Sequence, residues 1–127
     1  MVSQTVHFDV SPDSLYDIFM DEKKHSAFTG AKATIDGRVG GTFSVWDGYA
    51  KGEFIELTKG KKIIQTWAAS DWPDGVVSRV TFVFIPAAGG TDLTFTHEHV
   101  PANFEKDIER GWEEYYWKPL REYLRDQ

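Results

Sequence analysis

Two histidines one residue apart, His97 and His99 in "THEHV", have the spacing that most directly suggests chemistry. On an extended strand they project from one face, where two imidazoles can be presented to a single metal ion. A third ligand is missing, because no spacing brings His25 or a carboxylate to the pair. The expectation is therefore no metal and no cofactor, with hydrogen-bonded histidines lining an interior space and able to titrate near neutral pH. Gln65, between Ile63 and Trp67 on one strand face, is a second interior polar group. Its amide either orients a ligand or pairs with a neighbour, for which the Tyr116 hydroxyl is the candidate. In "DWPDG", Trp72 beside Pro73 reads as a loop residue, either a partner-binding anchor or a lid folded over one end of a sheet.

Other chemistries find less support. The chain has no cysteine, which removes thiolate metal sites, cysteine nucleophiles and disulfides. There is no G-x-S-x-G elbow, and "GRVGG", Gly37 to Gly41, is followed by a strand pattern rather than the helix a phosphate loop requires. Its glycines serve a turn and a close approach of strands. No catalytic residues are assigned, and the protein is read as non-enzymatic, with a lyase, cyclase or hydrolase activity left open. The net charge of -6 and the lack of a dense basic cluster exclude a nucleic-acid partner. No segment approaches the ~18 apolar residues of a membrane span, and "MVSQTVHFDV" lacks the pattern of a signal peptide, so a cytoplasmic location is expected.

The elements that must position these residues can be read from the pattern. With 127 residues, 41% hydrophobic and 27% charged, the chain is expected to form one domain over 1–127 with a single core. Val6, Phe8 and Val10 alternate with polar residues as in a strand, and "SPDSLYDIF" places Ser11 as N-cap and Pro12 at the first helical position. A second short helix is expected over "DEKKHSAFT", capped by Asp21 and ended at Thr29-Gly30. From Ala33 to Val100, short alternating runs are separated by turn residues, including Asp47-Gly48, which reads as a tight two-residue hairpin. About seven strands result, followed by a helix from about Asn103 onward. This order describes an α+β fold.

The closing stretch "GWEEYYWKPLREYL" carries five aromatic residues. At 100° per residue Ile108, Trp112, Tyr115, Tyr116, Pro119, Leu120 and Tyr123 share one broad arc, widened by Trp117 and Leu124. Such a helix is gripped by a curved surface, and Pro119 predicts a bend. Where bulky rings converge they can leave unfilled space. The expected lining of a pocket for a hydrophobic small molecule is Gln65, Trp67, Phe82, Phe95, His97, Trp112 and Tyr116.

"SPDSLYDIF", "AFTGAKA", "GGTFSVWDG", "GEFIEL", "IIQTW", "DWPDG" and "GWEEYYWKPL", in this order and spacing, resemble the C-terminal domain of the activator of the heat-shock protein 90 ATPase, over nearly the whole chain. The resemblance implies the helix-grip fold of START-like and birch-pollen-allergen-like proteins, in which a curved antiparallel sheet wraps a long C-terminal helix. It implies two functions: binding of a hydrophobic small molecule between sheet and helix, or a co-chaperone-like module that interacts with or stimulates an Hsp90-type ATPase. The activator resembled is a two-domain protein, and nothing in this chain corresponds to its N-terminal domain.

Overall fold

The strand and helix boundaries follow from the local patterns above. The computed structural model describes residues 1–126; Gln127, the last residue of the expected domain, lies outside them. Strand β1 (Val2–Phe8) leads to helices α1 (Pro12–Met20) and α2 (Glu22–Thr29). Strands β2 (Thr34–Ile35), β3 (Thr42–Val45), β4 (Ala50–Thr58), β5 (Lys62–Ala69), β6 (Ser78–Ala87) and β7 (Gly90–Glu98) follow. A 3-10 turn (Ala102–Phe104) opens the C-terminal helical stretch, which runs as α3 (Glu105–Trp112), a π-helical turn (Glu113–Trp117) and α4 (Lys118–Arg125).

The caps are those expected. Ser11 Oγ accepts the Ser14 amide at 3.3 Å, and Asp21 Oδ1 accepts the Lys24 amide at 2.9 Å. Gly30 ends α2 in the left-handed region at φ 74°, a conformation open to a residue without a side chain. In "GRVGG", Gly40 has φ 84°, and a Cβ on Gly41 would lie 2.2 Å from the Asp36 carbonyl oxygen. These glycines therefore serve a turn and a close backbone approach.

All seven strands join one antiparallel sheet in the order β1-β7-β6-β5-β4-β3-β2. One register shift between Phe54 and Glu56 places an extra residue, Ile55, on β4, a bulge that bends and twists the strand. The sheet's inner face carries Ile63 and Trp67 of β5, Val80, Phe82 and Phe84 of β6, and Leu93, Phe95 and His97 of β7, all buried. Against it lie α1, α2 and the C-terminal helix, whose Ile108, Trp112, Tyr116, Trp117 and Leu120 are buried in the same core. The architecture is the expected α+β helix grip.

Three local features differ from the sequence reading. The Asp47-Gly48 hairpin is a four-residue loop: Val45 pairs with Ala50, and Trp46, Asp47 and Gly48 all have positive φ (56°, 55° and 93°). It is pinned to Lys32, whose amide donates to Asp47 Oδ1 at 2.7 Å and whose carbonyl accepts the Asp47 amide at 3.0 Å. Tyr115, placed on the buried arc by helical periodicity, is instead 56% exposed. The cause is the π turn, in which the Lys118 amide bonds back to the Glu113 carbonyl and residues five apart align. Trp112 and Trp117 consequently stack, with centroids 5.6 Å apart and planes at 25°. The turn ends two residues before Pro119, whose ring would collide with the carbonyl four residues back in a regular α turn. The helix answers the proline with this wider turn.

Candidate functional site

The expected lining residues divide into two groups, a closed aromatic interior and an open groove at one end of the helix. In the interior, His97 is fully buried and every ring atom able to form a hydrogen bond does so. The Trp112 indole N–H donates to His97 Nδ1 at 3.1 Å, which makes Nδ1 the acceptor and leaves the proton on Nε2. Nε2 faces Ser78 Oγ at 2.6 Å, and the Ser78 hydroxyl donates in turn to the Trp67 carbonyl at 2.7 Å. The relay requires a neutral imidazole. Burial, assisted by the positive N-terminus, pushes the His97 pKa down to about 3.

His25, which the sequence did not associate with any site, forms a second relay. Its Nδ1 donates to the Phe19 carbonyl at 3.0 Å, and its Nε2 accepts the Tyr116 hydroxyl at 3.3 Å. Burial lowers the His25 pKa to about 4, outweighing the backbone hydrogen bond, and pushes the Tyr116 phenol above its ordinary value. Tyr116 thus pairs with His25, not with Gln65 as expected. No short-range pattern signals this contact, because 91 residues separate the partners.

His97 and His99 do not share a face. β7 ends at Glu98, and His99 turns into the left-handed region at φ 65° with its side chain exposed. The H-x-H spacing anticipates two imidazoles on one strand face, but the strand stops between them. The two histidines therefore do not form a pair of interior groups. His97 is held neutral, and His99 faces solvent.

Trp72 is not an exposed anchor. It is 6% exposed, with its ring 5.3 Å from Trp67, 6.3 Å from His97 and 6.2 Å from Phe104. The loop folds back and uses this indole to close the end of the sheet, the lid alternative of the sequence reading.

Between sheet and helix, next to Gln65, Phe82, Trp112 and Tyr116, the free volume is about 20 Å³. That is room for about one water molecule. Phe95 and His97 line neither this space nor the groove. Phe95 instead packs at 4.5 Å from Trp112 and 5.3 Å from Trp117.

The open groove, about 460 Å³, lies where the β3–β4 loop, the β5–β6 loop and the start of the C-terminal helix meet. Of the expected pocket residues, Trp67, Trp112 and Tyr116 reach it. Its outer walls come from Trp46, Tyr49, Phe104 and Tyr115, with Trp46 and Tyr115 in edge contact at 5.5 Å. Asp71, Asp107 and Glu114 stand on its rim with Arg110. Tyr49 donates to Asp71 Oδ1 at 3.3 Å, and burial together with Asp71 and Asp107 raises its pKa.

The Trp46, Trp67 and Trp72 indole N–H groups are closed off from solvent and complete no hydrogen bond among the described residues. Trp46 leans toward the Tyr116 oxygen and partly opposes the rise in its pKa, without reaching hydrogen-bonding geometry. A buried donor left this way costs about 1–3 kcal/mol. Sequence reasoning missed Trp46, Tyr49 and Tyr115 as a site. The available signal was the pair of aromatics flanking Asp47-Gly48.

A curved antiparallel sheet closed around a C-terminal helix, with an aromatic opening at one end of that helix, defines a helix-grip domain. The chain belongs to the family described as "Activator of Hsp90 ATPase homolog 1-like protein", which matches residues 9–125. It is 35% identical over 115 residues to a human protein named "Activator of 90 kDa heat shock protein ATPase homolog 1", covering 91% of this chain and 34% of the human one. The chain thus spans about a third of the length of the curated relatives it matches. The crystal structure of an Hsp90 activator from Plasmodium falciparum superposes with a TM-score of 0.89 at 30% identity, covering 98% of this chain and 96% of that one. CalU16 from Micromonospora echinospora, at 19% identity and a TM-score of 0.82 over 96% of this chain and 74% of its own, shares the fold. No helix among the described residues is long and apolar enough to cross a membrane.

Proposed function

We propose that this domain docks on an Hsp90-type ATPase in the cytoplasm and promotes its ATPase cycle, acting as a co-chaperone-like module. The observation that carries the reading is its match in shape over nearly its whole length, at 30% identity, to a chain of similar length described as an Hsp90 activator. The filled interior agrees with it. The test is the steady-state ATPase rate of the Hsp90-type chaperone from the same organism, measured with and without the domain, alongside co-purification in each nucleotide state. A raised rate or a nucleotide-dependent complex is expected. Neither effect at saturating domain concentration would overturn the proposal.

A second reading, binding of a hydrophobic small molecule, is supported by the groove, where Trp67, Trp112 and Tyr116 line a volume of about 460 Å³. Native mass spectrometry of freshly purified protein tests it. A retained apolar compound that is lost on Tyr116→Lys substitution is the expected result. A uniformly unliganded mass, unchanged after incubation with apolar extracts, would remove this reading.

A further inference from the structure

We infer that the groove between the β3–β4 loop, the β5–β6 loop and the C-terminal helix receives a basic segment of the partner protein. The inference rests on the co-chaperone reading and specifies the partner's chemistry at this face.

Charge is the first argument. Asp71, Asp107 and Glu114 rim the groove against a single guanidinium, Arg110. None of the three carboxylates forms an ion pair among the described residues, whereas Glu113 on the neighbouring turn is taken by Arg121 at 3.0 Å. Asp71 and Asp107 both act on Tyr49, so their fields converge over one aromatic wall.

The second argument is the wall itself. Tyr49 and Tyr115 are 40% and 56% exposed, and Trp46 stands against Tyr115. Aromatic faces beside uncompensated carboxylates suit a Lys or Arg side chain, whose apolar stem lies on the rings while its charge meets the rim. The rings of Trp46 and Trp67 extend the same aromatic wall, while their indole N–H groups stay closed off from solvent.

The experiment compares chaperone affinity for the wild-type domain, for Asp107→Lys/Glu114→Lys in the groove, and for Glu53→Lys/Glu122→Lys, which makes the same change of charge at exposed positions outside it. The expected result is a loss of tenfold or more for the groove variant and less than twofold for the control. Wild-type affinity should also fall with added salt more steeply than that of the groove variant. Equal affinities for the two variants would overturn the inference while leaving the co-chaperone reading intact.

If no complex with the chaperone forms, that reading fails, and a defined probe decides the groove. The probe is a nonapeptide alternating Lys and Leu, compared with its Glu-for-Lys counterpart. A tenfold preference for the Lys peptide, lost in the groove variant and accompanied by NMR shifts of the Trp46 and Trp67 indole signals, would support the inference. No preference between the two peptides would overturn it.

Discussion

The two ends of the aromatic interior are built from the same side-chain types and behave in opposite ways. In the relay through His97 each polar atom has a partner, indole to imidazole, imidazole to hydroxyl and hydroxyl to carbonyl, and the whole is closed off from solvent. At the groove, the Tyr49 and Tyr115 rings are exposed and three carboxylates stand without ion pairs among the described residues. Exposed rings and unpaired charge mark the part of the protein with binding capacity left over, and a closed hydrogen-bonded relay marks the part that holds shape. Aromatic content alone does not distinguish them.

The strongest test of this contrast breaks the satisfied end. His97→Ala leaves a cavity and strands the Trp112 N–H, and should cost roughly 5 kcal/mol of unfolding free energy in urea titrations. Acid should act on the same end without mutation. His97 and His25 have folded pKa values pushed down to about 3 and about 4, against 6.5 when free. The unfolded chain therefore takes up their protons first, so their stabilising contribution is complete above about pH 6.5 and declines as the pH falls toward 4. Between pH 7 and pH 5 the expected loss is roughly 2 kcal/mol per histidine. Denaturation at several pH values checks this, and His25→Gln should remove about half of the slope.

Trp72→Ala sharpens the comparison at the boundary between the two ends. Its ring closes the sheet, so a stability loss of roughly 3 kcal/mol is expected by thermal or chemical unfolding. A loss of partner binding with unchanged stability would instead restore the anchor role. Tyr115→Ala gives the smallest effect on the fold, within about 0.5 kcal/mol, because the side chain is exposed. Its consequence should appear in binding at the groove, read by calorimetry with the chaperone.

Most of the fold could be read from short-range signals. The caps at Ser11, Asp21 and Gly30 are written in single residues, and the inner strand faces in the alternation of Ile63, Gln65 and Trp67 or Val80, Phe82 and Phe84. The site was less legible because its contacts are long-range. His25 meets Tyr116 across 91 residues, and Trp46 meets Tyr115 only because a loop with three positive φ values turns back beside a helix that changes register. The assumed 100° period fails at Glu113–Trp117, so Tyr115 was assigned inward. Trp72 illustrates the remaining limit: a tryptophan between Asp71 and Pro73 carries the same local signal whether its ring points to solvent or folds under the loop.

The π turn has a further consequence, for chain length. A π turn holds one more residue than the α turn it replaces, so the two flanking helical segments keep the facing they would have in a helix one residue shorter. Deleting Glu114 should therefore leave Ile108, Trp112 and Leu120 on the core, a tolerance to shortening that few buried helices possess. Pro119 sets the condition. In the shortened, regular helix it would lack a required amide bond, so the deletion and a Pro119→Ala replacement should be tolerated together far better than the deletion alone.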